Sequence, residues 1–237
     1  MVTRSHSARR LASTPLADAR WLVLAPHADD ETLGCGALIA EAASRRALAG
    51  IVILTDGVGS HGHDGLKSRA RLIAARRGEA ALAVRRLVGR AAPALVFLDW
   101  HDAHPYTAGE PGFENARRQL VAMCRDRRVD ALAVTAQHEP HCDHQAAFAL
   151  ARAVAVTAMR PMALVEYVVW AVEPPSAGHR ALRTAPMPLG RRNAALAAHR
   201  SQITTQFGDG FRLSPAKLRM PAFDVLYERI ARHAHPH

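Results

Sequence analysis

Short apolar runs alternate with longer segments rich in alanine and arginine, and this alternation constrains the fold more than any other feature of the sequence. Apolar runs with the length and composition of buried strands cover residues 21–25, 50–55, 94–98, 131–135 and 163–170. Helices are predicted between them over residues 32–48, 67–88, 113–127 and 144–159. Strands that alternate with helices form a parallel sheet covered on both faces. The sequence therefore predicts an α/β, Rossmann-like, doubly wound fold.

The length of 237 residues fits one domain with a full hydrophobic core. We expect this domain over residues 21–237, after a polar, mobile N-terminal arm over residues 1–20. Residues 172–190 contain four prolines and are predicted to be a connector, and a last helical region is predicted to begin near Arg191. The chain has neither the apolar run of a signal peptide nor the roughly 18–20 apolar residues of a membrane span. We therefore expect a cytoplasmic protein with no transmembrane segment.

A net charge of +10 suggests acidic partners, but its distribution argues against a specific nucleic-acid site. Of the 31 basic residues only Lys67 and Lys217 are lysines, and the arginines are spread over almost every predicted helix. A compositional bias explains this pattern, with an anionic substrate or membrane surface as the alternative. The three cysteines show no paired spacing, so neither a disulfide framework nor a zinc finger is predicted.

The loop that follows the first predicted strand is rich in possible metal ligands. It contains His27, Asp29, Asp30 and Glu31 within five positions. A catalytic zinc ion takes nitrogen and carboxylate ligands and keeps one position for water. The alternative is a helix start, with Asp29 or Asp30 as the N-cap and Glu31 in the first turn.

The loop that follows the fourth predicted strand has the same character. His138, His141 and His144 occur there together with Glu139 and Asp143. In a doubly wound sheet, ligands bind at the carboxyl ends of the strands, where the first and fourth strands are often neighbours. We therefore expect the two loops to meet and to form a metal site.

Two motifs in these loops resemble the signatures of a known enzyme family. The segments are His27-Ala28-Asp29-Asp30-Glu31 and His141-Cys142-Asp143-His144. They are similar to the His-Pro-Asp-Asp-Glu and His-x-Asp-His motifs of the LmbE-like or PIG-L deacetylases, which remove acetyl groups from N-acetylglucosamine conjugates. The resemblance extends from about Leu22 to Gln202, with Ala28 in place of the usual proline.

The resemblance implies a zinc-dependent hydrolase acting on a small N-acetylated amino sugar. His27, Asp30 and His144 would be the zinc ligands. Because two histidines and one carboxylate also suit ferrous iron, Fe²⁺ is an alternative metal. Neither the aglycone nor the oligomeric state follows from the sequence, and a homo-oligomer is compatible with it.

The resemblance also implies roles for residues around the metal. Asp29 would be the general base for the attacking water. Protonated His141 would stabilise the oxyanion and protonate the leaving amine, and Asp143 would orient one of the histidines. The residues implied to hold the sugar or to organise the site are Arg76, Glu79 and Asp102.

Two other functions compete with this one. A Rossmann-type nucleotide- or methyl-donor-binding protein would need a GxGxxG motif after the first strand, and the sequence has none there. A non-catalytic glycan- or nucleotide-binding protein with a basic surface is the remaining alternative. His233, His235 and His237 near the chain end could bind metal adventitiously.

Overall fold

A mixed sheet of eight strands lies at the centre of the computed structural model, which describes residues 8–62, 65–175 and 178–230. In chain order the strands are β1 (Arg9–Arg10), β2 (Trp21–Ala25), β3 (Leu48–Thr55), β4 (Val96–Trp100), β5 (Ala131–Thr135), β6 (Ala163–Tyr167), β7 (His179–Arg183) and β8 (Val225–Arg229). Their order across the sheet is β1-β7-β8-β6-β5-β2-β3-β4. Strand β8 is antiparallel to β6 and β7, and the other pairs of these strands are parallel.

Helices cover both faces of the sheet. In chain order they are α1 (Asp30–Ser44), α2 (Leu66–Val88), α3 (Pro111–Asp126), α4 (Cys142–Thr157), α5 (Arg191–Leu196) and α6 (Arg200–Ile203). Side chains of β2 alternate between two cores, as the period of a strand requires. Trp21 and Val23 enter the core formed with α1, α2 and α5, whereas Leu22 and Leu24 enter the core formed with α3 and α4. The predicted doubly wound α/β fold is confirmed.

The centre of the sheet places the two motif loops side by side. Every residue of β2 and of β5 is buried, which explains why both strands are continuous apolar runs. Strand β2 pairs with β5 on one side and β3 on the other, so the strand order reverses there. The prediction that the first and fourth of the predicted strands are neighbours is confirmed.

Residues 9–18, part of the predicted mobile arm, form regular structure. Strand β1 pairs with β7, and two short 3-10 turns follow over Leu11–Ser13 and Pro15–Asp18. Leu11 and Leu16 are buried in the core, which ties this stretch to the domain. Residues 1–7 of the predicted arm lie outside the described residues.

Besides β1, two more strands were not predicted. Strand β7 lies inside the predicted connector, and β8 follows the last predicted helical region. In β7 only Leu182 is buried, so the strand lacks an apolar run. Its position in the sheet comes from pairing with β1 and β8, which sequence patterns do not show.

Helix α1 ends at Ser44, four residues earlier than predicted, because Arg46 terminates it. Arg46 adopts a left-handed φ of 58°, and the Ala47 N–H donates to the Ala42 carbonyl at 2.8 Å. These features form a Schellman ending, for which glycine is the usual signal. Arg128 ends α3 in the same way, with a φ of 52°. Leu48, which was predicted to end the helix, is therefore the first residue of β3.

Within the described residues, no helix combines the length and apolar character that crossing a membrane requires. His233, His235 and His237 lie outside the described residues.

Candidate metal centre and active site

A cavity of about 420 Å³ opens where the motif loops meet. Its lining includes His27, Asp29 and Asp30 after β2 and His141 after β5. Trp170 and Phe211 contribute an aromatic part of the wall. The cavity therefore combines a cluster of ionisable groups with an apolar surface, as small-molecule sites commonly do.

The three residues predicted to bind metal converge beside this cavity. Asp30 Oδ2 lies 3.1 Å from His27 Nδ1 and 3.2 Å from His144 Nε2. His27 keeps 12% of its side chain exposed, whereas His144 and Asp30 are almost fully buried. Burial would raise the pKa of Asp30, but the charges of His144 and His27 and the hydrogen bond with His27 hold it well below its usual range. The pKa of His144 is raised to about 9, because Asp30 and Glu139 outweigh the lowering by burial.

The polar atoms of this group fit a metal ion. Asp30 Oδ1 and His144 Nε2 are buried without a hydrogen-bond partner among the described residues. Unpaired buried polar atoms are costly unless an additional ligand satisfies them. Two imidazoles and one carboxylate are a donor set that zinc takes, with room for further ligands.

Two carboxylates face the other ring nitrogen of His27. His27 Nε2 lies 3.0 Å from Asp143 Oδ2 and 3.3 Å from Asp102 Oδ1. Burial would lower the pKa of His27, but hydrogen bonds to Asp102, Asp143 and Asp30 raise it well above its usual value. Asp143 also accepts the backbone N–H of Ala103 at 2.9 Å. The geometry therefore gives Asp143 direct contact with His27.

His141 lies on the exposed side of the group. Its ring centroid is 4.8 Å from that of His27, and 39% of its side chain is exposed. His141 Nδ1 accepts the backbone N–H of Asp143 at 3.2 Å. Burial and the charge of His27 lower the pKa of His141. An acceptor Nδ1 assigns the proton of the neutral ring to Nε2.

Asp29 stands immediately before α1 in an unusual backbone conformation. Its φ of 153° and ψ of −27° lie outside the regions that non-glycine residues favour, a form of strain that clusters at functional sites. Its N–H donates to Glu31 Oε2 at 2.9 Å, and Arg76 Nη2 lies 3.7 Å from its Oδ1. Burial and then the Asp30 charge raise the pKa of Asp29 to about 6, against the opposing effect of Arg76. A carboxyl with a pKa near neutrality suits a general base.

The residues predicted to hold the sugar occupy different places. Arg76 and Asp102 line the cavity, and both also make hydrogen bonds to the surrounding backbone. Arg76 donates to two backbone carbonyl oxygens at 2.9 and 3.0 Å, and Asp102 accepts the Gly59 N–H at 3.0 Å. Glu79 is not part of the cavity lining and accepts the N–H and the hydroxyl of Ser201 at 2.9 and 2.6 Å. These contacts organise the loops around the site.

The sequence motifs predict no role for Glu139, Trp170 or Phe211. Glu139 Oε2 lies 3.2 Å from His144 Nδ1, on the side of the ring opposite Asp30. The sequence feature that could have identified Glu139 is its position in the same loop as the second motif. Trp170 and Phe211 reach the cavity from distant segments, and no motif marks them.

Comparisons with known proteins show the family and the fold. The family model GlcNAc-PI de-N-acetylase (PIG-L) matches residues 22–155. N,N'-diacetylchitobiose deacetylase from Pyrococcus horikoshii is similar with a TM-score of 0.62 and 20% identity, over 82% of this chain and 75% of that chain. The conserved protein TT1542 from Thermus thermophilus is similar with a TM-score of 0.54 and 27% identity, over 79% of this chain and 81% of that chain.

A protein of different activity shares the fold. GalB, the 4-carboxy-2-hydroxymuconate hydratase from Pseudomonas putida, is similar with a TM-score of 0.54 and 18% identity, over 76% of this chain and 78% of that chain. No curated protein sequence matches this chain. Because similar folds include a deacetylase and a hydratase, the reaction has to be argued from the site itself.

Proposed function

Since this chain belongs to the PIG-L family of GlcNAc-PI de-N-acetylases, we propose that it is a metal-dependent hydrolase that removes the acetyl group from an N-acetylated amino sugar. The observation that carries the proposal is the convergence of His27, Asp30 and His144 beside a cavity that Asp29 also lines. Three protein ligands leave room for water and substrate at a catalytic metal.

Zinc is the metal we propose, and ferrous iron suits the same donor set. When bound, zinc would polarise the acetyl carbonyl and make the attacking water more acidic. Asp29 would take a proton from that water and pass it to the amine nitrogen as the C–N bond breaks. The products would be acetate and the free amino sugar. Arg76, 3.7 Å from Asp29, supports this role because its charge favours the ionised carboxylate.

For His141 we propose a neutral ring rather than the imidazolium implied by the family resemblance. Its Nδ1 accepts a backbone N–H and its pKa is lowered, which favours the neutral form with a proton on Nε2. That N–H would donate a hydrogen bond to the oxygen that becomes negative as water adds. Asp143 would position His27 by accepting from its Nε2 at 3.0 Å.

The wall formed by Trp170 and Phe211 supports a small glycoside as substrate. Their ring centroids are 5.6 Å apart with the ring planes nearly perpendicular, and both residues line the cavity. An aromatic surface of this kind suits the apolar face of a sugar ring or an apolar aglycone.

We also propose a cytoplasmic location, which the free thiols of Cys35, Cys124 and Cys142 support.

The test is acetate release from a panel of N-acetylglucosaminides, measured together with bound metal. Asp29→Asn should abolish acetate release but keep the metal, whereas His144→Ala should lose both. His138→Ala is the matched control, because this exposed histidine lies in the same loop outside the cavity lining and contacts the Glu173 carbonyl. A chain that binds no metal would refute the proposal. Metal binding without acetate release from any glycoside would favour a hydratase or a non-catalytic binding protein.

A further inference from the structure

Glu139 is a fully buried carboxylate that the proposed reaction does not use. It lies between β5 and α4, and it accepts backbone N–H groups of the segment after β6. The donors are Val169 at 2.6 Å, Trp170 at 3.0 Å and Ala171 at 3.2 Å. Burial would raise the pKa of Glu139, but His144 and these N–H groups lower it below its usual value. The carboxylate therefore ties two distant loops together.

The same carboxylate faces a residue proposed to bind the metal. Glu139 Oε2 lies 3.2 Å from His144 Nδ1, as a close ion pair rather than an aligned hydrogen bond. The opposite ring nitrogen, Nε2, lies 3.2 Å from Asp30 Oδ2. An imidazole whose Nδ1 faces a carboxylate keeps its proton there, which leaves the Nε2 lone pair free for a metal.

Trp170 connects this arrangement to the cavity wall. Its backbone N–H donates to Glu139, its ring packs on Phe211, and Lys217 Nζ lies 4.7 Å from the ring centroid. We infer that Glu139 is a positioning residue that fixes the Nδ1–H tautomer of His144 and also holds the Trp170 segment in the wall. The inference rests on the proposed function, since it takes His144 as a metal ligand.

Glu139→Gln tests both parts with almost no change in shape. The amide oxygen can still accept the backbone N–H groups, and the amide NH₂ then faces His144 Nδ1 and donates to it. This favours the tautomer of His144 that carries its proton on Nε2. The protonated Nε2 then has no lone pair to donate to a metal. We expect the affinity for Zn²⁺, measured by competition with a chelating dye, to fall about 10–100-fold. We expect KM for the glycoside to rise as well, because the Trp170 segment loses part of its support.

Glu166→Gln is the matched control. Glu166 is also buried at the end of a neighbouring strand, accepts the Gln137 N–H at 3.0 Å and lies 2.8 Å from His179 Nε2. Its substitution removes a buried carboxylate paired with a histidine, away from the metal ligands. We expect unchanged affinity for Zn²⁺ in this variant.

A measurement on the wild-type chain does not depend on how the variants fold. The ¹⁵N chemical shifts of the zinc-loaded protein report which nitrogen of His144 carries the proton, and we expect Nδ1. A proton on Nε2, or wild-type zinc affinity in folded Glu139→Gln, would overturn the inference alone. Failure of the wild-type chain to bind zinc would refute the proposed function and this inference with it.

Discussion

Replacing Gly34 with alanine should destabilise the protein, although the residue lies inside helix α1. A Cβ atom at this position would lie 2.1 Å from Cδ2 of Tyr167, far inside the contact distance of about 3.5–4.0 Å between carbon atoms. Tyr167 is fully buried, and its hydroxyl donates to the Leu24 carbonyl at 3.0 Å. The ring therefore cannot move away without breaking this bond.

The magnitude follows from three contributions. Overpacking a core costs about 1–3 kcal/mol. Loss of the Tyr167 hydrogen bond costs about 1 kcal/mol, and the better helix propensity of alanine returns about 1 kcal/mol. The free energy of unfolding should therefore fall by about 1–3 kcal/mol. Because α1 begins at Asp30, a shift of this helix should also weaken metal binding.

Urea unfolding followed by circular dichroism measures the effect, with Gly36→Ala and Gly78→Ala as controls in helices. A Cβ at Gly36 would meet its nearest atom, Arg192 Nη1, at an ordinary 3.4 Å, and at Gly78 it would meet nothing within 4 Å. Both controls should be neutral or more stable by up to about 1 kcal/mol. Equal stability of Gly34→Ala and Gly36→Ala would refute the argument that Tyr167 requires glycine at position 34.

Three further predictions concern the site. In the metal-free protein, Asp29→Asn should increase stability at pH 8 by up to about 3 kcal/mol but have little effect at pH 4. The reason is that the pKa of Asp29 is about 6 in the folded state, above its ordinary value of 3.8. The stability that the protonated carboxyl gives the folded state is therefore lost as the pH rises through 6. Equal shifts of the urea midpoint at both pH values would contradict this. Iodoacetamide should label exposed Cys142 first, because burial protects Cys35 and Cys124 and raises the pKa of Cys124 to about 11; peptide mass spectrometry that finds Cys124 labelled equally fast would oppose it. Zinc at a hundredfold excess over its Kd should raise the free energy of unfolding by about 2.7 kcal/mol in wild type but not in His144→Ala, and equal thermal shifts of both proteins would exclude His144 as a ligand.

The strands in the middle of the sheet were predictable and those near its β1 edge were not. Strands β2 and β5 are buried on both faces, so their residues form apolar runs that a sequence displays directly. Strand β1 is exposed and β7 is partly exposed, and both rely on backbone pairing, which any side chain allows. The end of α1 was misplaced because Arg46, rather than glycine, adopts the left-handed conformation there.

The sequence by itself determined the fold class, the family and the two loops that carry His27, Asp30 and His144. These features are local, because strand periodicity and motif spacing involve residues close together in the chain. Tertiary structure alone decided which groups surround that cluster. Glu139 meets the Trp170 segment, and Phe211 completes the wall, across 30 or more residues of chain. Such contacts depend on how distant loops pack over the sheet, and no local pattern encodes them.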